Sequence, residues 1–146
     1  MKFWEEQGKI KVAAPAKINL FLEILGKRQD GYHEIETVMQ EVSLFDYLYI
    51  ENYDKGVAFS CSNPKLATGE ENLVVKAVRL MQKESGTSKG VKIHLDKKIP
   101  IGAGLGGGSS DAVATLFGLN RLWQIGYDEK QLMSLAGKLG SDTPFF

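Results

Sequence analysis

The sequence predicts a single α+β domain over residues 1–146, with strands in the first half and most of the helix in the second. Extended segments rich in β-branched and aromatic residues fill much of the chain up to Cys61, whereas two of the three helical patterns follow residue 108. Strands and helices are therefore not interleaved in the regular alternation of a parallel βαβ sheet. A length of 146 residues with 43% hydrophobic content is sufficient for one ordinary core.

The first half contains three extended patterns. Residues 10–25 alternate small and β-branched side chains and predict one or two strands interrupted at Pro15. After the turn-rich loop GKRQDGYHE, residues 35–51 predict one or two further strands with a break near Ser43. The segment VAFSCS predicts another strand.

A first helix and a further strand follow. The stretch from Thr68 to Gly86 predicts a helix, with Gly86 past its end and four apolar residues at helical spacing, namely Leu73, Ala77, Leu80 and Met81. Residues 90–99 then alternate apolar and polar side chains, which predicts a half-exposed strand ended by Pro100.

Two more helices are predicted after the glycine-rich segment. One begins near Ser109 and presents a broad apolar face, so it is expected to pack inside the core. The other follows Asp128, the predicted N-cap, with Gln131 at the capping-box position and Gly140 beyond its end.

The composition argues against several classes of protein. Lys plus Arg and Asp plus Glu both number 18, so no net charge favours nucleic acid or an acidic membrane surface. No apolar run approaches a membrane span, and acidic residues stand where a secretory signal would need an apolar run, so a cytoplasmic location is expected. The lone Cys61 forms no intrachain disulfide, and the sequence contains no cluster at metal-ligand spacing.

The sharpest motif is IPIGAGLGGGSSDA, in which five glycines precede two serines and a helix. Glycine permits φ > 0 and lets backbone N–H groups approach an anion, and the start of the helix adds unpaired N–H groups and partial positive charge. A polyphosphate is the expected ligand. Ser109 and Ser110 either donate to phosphate oxygens or cap the helix.

Other glycine-rich loops fit this motif less well. It lacks the Gly-Lys-Ser/Thr ending of a Walker A sequence. Gly102, Gly104 and Gly107 match the dinucleotide fingerprint, but a helix, a short loop and another helix follow where that fingerprint needs a strand with an acidic residue. A structural turn without a ligand does not need five glycines.

Two charged residues are candidates for phosphoryl-transfer chemistry. Lys17 lies among small and apolar residues and is either an edge-strand guard or a functional cation. Asp142 follows the third helix and is either a turn residue or a base. Transfer of a phosphoryl group to an alcohol needs a carboxylate to accept the hydroxyl proton and a cation nearby, which these two residues can supply.

The loop GYHE offers groups suited to a nucleobase. Tyr32 has a flat face for stacking and His33 has two ring nitrogens for hydrogen bonds. The alternative is a surface aromatic residue and an ordinary loop histidine.

Three segments together resemble the GHMP family of small-molecule kinases. They are PAKINLFLEILGKRQDGYHEIETVMQ, PIGAGLGGGSSDA and LGSDTPFF, in this order and spacing, and the resemblance covers nearly the whole chain after Ile10. PAKINLFL and GYHE narrow it to members that phosphorylate a cytidylated alcohol. The resemblance implies a ribosomal protein S5 domain 2-like fold.

The resemblance also implies roles for individual residues. Lys17 and Asp142 would form the catalytic pair, with Asn19, Tyr32 and His33 on the substrate and Asn72 near adenine. ATP would bring Mg²⁺, and its phosphates would be wrapped by Pro100, Ile101, Gly102, Ala103, Gly104, Leu105, Gly106, Gly107, Gly108, Ser109 and Ser110.

Alternatives to this reading are another kinase of the family, of homoserine or mevalonate type, a non-catalytic nucleotide sensor and an S5-like RNA-binding domain. Because family members continue into a second domain, and this chain stops at SDTPFF, we expect a truncated chain that is weakly active or inactive alone.

Overall fold

The computed structural model of the chain describes residues 1–54 and 56–146. Within them the strands are β1 (Lys2–Glu6), β2 (Lys9–Lys27), β3 (His33–Tyr53), β4 (Val57–Cys61) and β5 (Gly90–Asp96). The helices are α1 (Leu73–Ser85), α2 (Gly107–Leu122) and α3 (Glu129–Gly137), and a 3-10 turn spans Thr143–Phe145. The order of strands and helices confirms the α+β prediction. None of the described helices is long and apolar enough to cross a bilayer.

The five strands form one sheet in the order β1-β2-β3-β5-β4. All neighbours are antiparallel except β4 and β5, which are parallel and joined through α1. Helices cover one face, where alternate strand residues such as Val12, Leu48 and Leu95 are fully buried against Val113 and Leu116 of α2.

The hairpin of β2 and β3 is longer than predicted. Each strand is continuous. In place of the breaks predicted at Pro15 and near Ser43 there is one shift in pairing register, because Pro15 pairs with Phe45 and Ala16 pairs with Val42. Two further shifts follow, between Asn19 and Phe21 and between Ile24 and Gly26. Such bulges bend a strand without ending it, which is why a proline is tolerated here.

Other boundaries also differ from the sequence prediction. Strand β1 was not predicted; it pairs with the start of β2, and its Phe3 ring lies 6.2 Å from that of Phe117. Helix α1 buries Val74, Val75 and Val78 beside Ala77 and Met81, so its buried face is centred differently from the predicted set. The capping box of Asp128 and Gln131 is confirmed.

Candidate active site

The glycine loop connects β5 to α2 and has the backbone geometry that its composition predicts. Gly102, Gly104 and Gly106 have φ angles of 71°, 74° and 69°, in the left-handed region that other residues rarely adopt. The loop is attached to β2, because the N–H of Lys17 donates to the carbonyl of Leu105 at 2.9 Å. The loop therefore turns repeatedly while one of its residues stays fixed to the sheet.

Helix α2 begins at Gly107, not near Ser109 as predicted. Gly106 is its N-cap and provides no side-chain hydrogen bond, so the alternative in which a serine caps the helix is wrong. The N–H of Ser110 donates to the carbonyl of Gly106, and the hydroxyl of Ser110 is fully buried without a partner. Residues 107–109 precede the first intrahelical donor, so their N–H groups face the loop and suit an anion.

A cleft of about 410 Å³ lies along the loop. It is lined by residues 100–109 together with Leu66, Asn72 and Leu73, so all predicted loop residues except Ser110 face it. Most of the lining is apolar, as expected for a nucleobase site with few polar groups.

Asn72 shapes this cleft through its own hydrogen bonds. Its Oδ1 accepts the N–H of Val74 and its Nδ2 donates to the carbonyl of Ala67, both at 2.8 Å. It is thus the N-cap of α1, a role that the sequence analysis did not assign to it. These two hydrogen bonds hold the amide in the wall of the cleft.

Lys17 is a buried cation beside the glycine loop. Its side chain is 4% exposed, and its ammonium group lies 3.2 Å from Asn19 Oδ1 and 3.7 Å from Asp142 Oδ2. A Cβ atom on Gly106 would lie 3.0 Å from Lys17 Cγ. The lysine side chain thus packs against the start of α2, which excludes the role of an exposed edge-strand guard.

The carboxylate of Asp142 faces Lys17 and is partly open to solvent. Its side chain is 39% exposed and makes no capping hydrogen bond to the 3-10 turn that follows, so the capping role favoured by the local sequence is not seen. Thr143 holds the segment in place, because its buried hydroxyl is shared between the carbonyls of Ala136 and Gly140. The contact with Lys17 is an ion pair rather than a short hydrogen bond.

Of the predicted substrate residues, Asn19 is in contact with Lys17. A neighbour of Asn19, Thr37, was not predicted from the sequence. Thr37 lies across the hairpin, where its hydroxyl donates to the carbonyl of Phe21 at 2.8 Å and lies 3.5 Å from Asn19 Oδ1. Nothing in the sequence marked Thr37, since threonine is common in strands.

Tyr32 and His33 lie at the other end of the hairpin. Tyr32 is 74% exposed in a turn where its N–H donates to Asp30 Oδ1, and His33 begins β3 opposite Lys27. From Glu41, opposite Lys17, to His33, β3 runs roughly 26 Å along the strand. The described contacts do not bring these two residues to Lys17 and Asp142.

The cleft has few oxygen donors for a metal ion. Among the residues described, no group of three His, Cys, Asp or Glu side chains is arranged to hold a metal ion. Mg²⁺ bound to a nucleotide needs only one or two protein ligands besides phosphate and water. Glu71 and Ser109 line the cleft and provide such oxygens, so the residues fit an ion that arrives with a nucleotide.

The chain is similar to known kinases over almost its whole length. It is 54% identical to a 4-diphosphocytidyl-2-C-methyl-D-erythritol kinase of Prochlorococcus marinus, over 93% of this chain and 43% of that protein. A Synechococcus protein of the same name is 51% identical, over 93% of this chain and 45% of its own length. The chain therefore spans less than half the length of these relatives.

Solved structures of kinases have a similar fold. A crystal structure of 4-(cytidine 5'-diphospho)-2C-methyl-D-erythritol kinase superposes with a TM-score of 0.80 at 44% identity, over 93% of this chain and 48% of that one. A homoserine kinase from Cytophaga hutchinsonii, at 24% identity, has a TM-score of 0.72 over 95% of this chain and 43% of that one, which shows a shared fold. The family model for the N-terminal domain of GHMP kinases matches residues 72–146, and the chain belongs to that family.

Proposed function

We propose that the protein transfers the γ-phosphoryl group of ATP to the 2-hydroxyl of 4-diphosphocytidyl-2-C-methyl-D-erythritol, a step of non-mevalonate isoprenoid synthesis. The observation that carries the proposal is the Lys17–Asp142 ion pair beside the glycine loop. Relatives with this activity in their names are 49–54% identical to the chain, which supports the same acceptor. An enzyme that consumes ATP is expected in the cytoplasm.

The geometry supplies the parts of a phosphoryl transfer. Asp142 accepts the proton of the acceptor hydroxyl, whose oxygen attacks the γ-phosphorus as the bond to the β-phosphate oxygen breaks and ADP leaves. Lys17 supplies a buried positive charge next to that carboxylate, where charge develops. Asn19 holds the ammonium group in place.

The glycine loop binds the phosphates of ATP in this proposal. Backbone N–H groups at the start of α2 point towards the anion, while the apolar part of the cleft near Leu66 and Leu73 receives the adenine. Glu71 and Ser109 would hold a Mg²⁺ ion that arrives with the nucleotide, and the ion would neutralise phosphate charge. Asn72 contributes by fixing the wall of this cleft.

The cytidine half of the acceptor is proposed to bind at the tip of the hairpin. The exposed ring of Tyr32 is free to stack on cytosine, and His33 offers ring nitrogens for the edge of the base. The bulges in β2 are places where the hairpin can bend over a bound acceptor.

A second domain is proposed to complete the enzyme. Residues 1–146 form the ATP-binding domain, and relatives are about twice as long. Without a second wall the acceptor hydroxyl is open to water, so the 146-residue chain is expected to bind ATP weakly and turn over slowly or not at all. Full-rate phosphorylation by the purified 146-residue chain would contradict this.

Calorimetric titration tests the proposed substrates. The full-length protein and the 146-residue chain are each titrated with CDP and with a non-hydrolysable ATP analogue. We expect the full-length protein to bind both ligands. Tyr32→Ala should weaken the binding free energy of CDP by about 1–3 kcal/mol and leave the affinity for the ATP analogue unchanged.

Each result has a separate meaning. Binding of the analogue without CDP would retain the kinase and exclude the cytidylated acceptor, favouring a homoserine- or mevalonate-type alcohol. Binding of neither would exclude the kinase proposal altogether. The matched control is Tyr53→Ala, a partly exposed tyrosine at the far end of β3, which should change neither titration.

A further inference from the structure

Three ionisable side chains are buried together behind the glycine loop. Lys97 Nζ lies 2.6 Å from Asp46 Oδ2 and 2.8 Å from Asp111 Oδ2. The exposed fractions of the side chains are 4% for Lys97, 0% for Asp46 and 2% for Asp111. Burying ionisable groups is costly, and apolar residues of similar size are often at least as stabilising, so general stability does not explain the cluster.

The cluster contacts both ends of the loop. At the entry, Asp46 Oδ1 accepts the backbone N–H groups of Lys98 and Ile99, at 2.6 and 2.8 Å, immediately before Pro100. At the exit, Asp111 belongs to α2, and a Cβ on Gly107 would lie 2.9 Å from Lys97 Nζ. One ammonium group thus connects β3, the loop entry and the start of α2.

We propose that Asp46, Lys97 and Asp111 are positioning residues that hold the two ends of the glycine loop at the separation required for the phosphates of ATP. This inference rests on the proposed kinase function. The Lys97 ammonium group donates to the carboxylates of Asp46 and Asp111. In this proposal the cluster does not touch the nucleotide itself. It acts by fixing the loop backbone and the N–H groups of residues 107–109.

The charge state of the cluster gives it a measurable signature. Burial raises the pKa of Asp111 to about 8, against the opposing effect of Lys97. The titratable groups that face this carboxyl are Lys97, Asp46 and, on β4, Cys61. Below about pH 8 Asp111 carries a proton; above it, an additional negative charge stands behind the phosphate site and should weaken ATP binding.

The test compares Asp46→Asn and Asp111→Asn in the full-length protein. We expect Asp46→Asn to raise the KM for ATP about tenfold, with kcat and the acceptor KM within about threefold, because only the phosphate site loses its fixed geometry. In the wild type the KM for ATP should rise above about pH 8, and Asp111→Asn should remove that rise. Asp96→Asn, which alters a more exposed carboxylate beside the same loop, is the control and should change neither.

Three results would overturn the proposal. An unchanged KM for ATP in a folded Asp46→Asn variant would do so, as would a pH profile of Asp111→Asn identical to that of the wild type. Loss of cooperative unfolding in both variants would show that the cluster only maintains the fold. If the wild type itself fails to bind the ATP analogue, the kinase proposal fails first and this inference fails with it.

Discussion

The two ends of the β2–β3 hairpin differ in what covers them. At the base, which we define as residues 10–17 with their partners on β3, Ile10 and Val12 are at most 1% exposed beneath the helices. In the distal ribbon, residues 18–27 and 33–44, Leu20, Leu22 and Ile24 are 62%, 52% and 61% exposed. Backbone pairing continues through both parts. Strand pairing therefore does not require a buried face, but a two-stranded ribbon is marginally stable unless its apolar side chains are covered.

The proposed catalytic pair, Lys17 and Asp142, lies at the boundary between these two regions. Lys17 is the last buried residue of β2, and the next residue, Ile18, is 36% exposed. The base gives Lys17 a rigid, dry support, while Asn19 and Thr37 begin the ribbon. In the proposed function, the ribbon carries the acceptor and the proposed second domain covers it. The predictions below test this division, from the largest effect to the smallest.

Asp142→Asn should reduce kcat of the full-length protein by about 10²–10⁴, because the amide cannot accept the hydroxyl proton. Single-turnover phosphorylation measures this. The free energy of unfolding should fall by no more than about 1 kcal/mol, because the ion pair lost with Lys17 is partly exposed on the Asp142 side and the side chain makes no cap. A loss below tenfold would remove Asp142 from the role of base.

Leu48→Ala at the base should destabilise the 146-residue chain by about 2–5 kcal/mol, because the side chain is fully buried. Leu22→Ala in the ribbon should change the free energy of unfolding by less than about 0.5 kcal/mol. Urea denaturation measures both.

The same ribbon variant sharpens the comparison in the full-length protein. If a second domain covers Leu22, Leu22→Ala should become clearly destabilising there. Equal effects in both chains would contradict the proposed cover.

Gly106→Ala should cost about 1–2 kcal/mol from its left-handed backbone alone. A Cβ would also lie 2.9 Å from Phe146 Cζ and 3.0 Å from Lys17 Cγ, so the lysine should shift and kcat should fall. Gly102→Ala is the matched control: it has a similar φ, but its Cβ would meet nothing within 4 Å. Equal kcat values for the two variants would contradict the steric argument.

Tyr32→Ala should leave the free energy of unfolding of the 146-residue chain within about 0.5 kcal/mol, because the ring is 74% exposed at the tip of the ribbon. Thermal unfolding followed by circular dichroism measures this. A clear destabilisation would mean that the tip is packed rather than open to a ligand.

Local pattern was enough to predict much of the fold. Strand β5 alternates as its sequence does, with Val91 and Ile93 buried and Lys92 exposed, and α3 is capped by Asp128 and Gln131. These features depend on residues within a few positions of each other, where periodicity and capping chemistry act. The continuity of β2 through Pro15 was not predictable in this way, because a proline signals a break until its partner strand is known.

The composition and order of the residues were enough to predict a glycine loop suited to a polyphosphate and to mark Lys17 and Asp142 as candidate residues. Only the tertiary structure decided that these two lie 3.7 Å apart and that Asp46, 51 residues before Lys97, anchors the loop from behind. It also decided which apolar strand residues are buried and which remain exposed on the ribbon. The physical reason is that backbone conformation follows from neighbouring residues, whereas charge pairing and burial depend on segments that meet only when the sheet and helices pack.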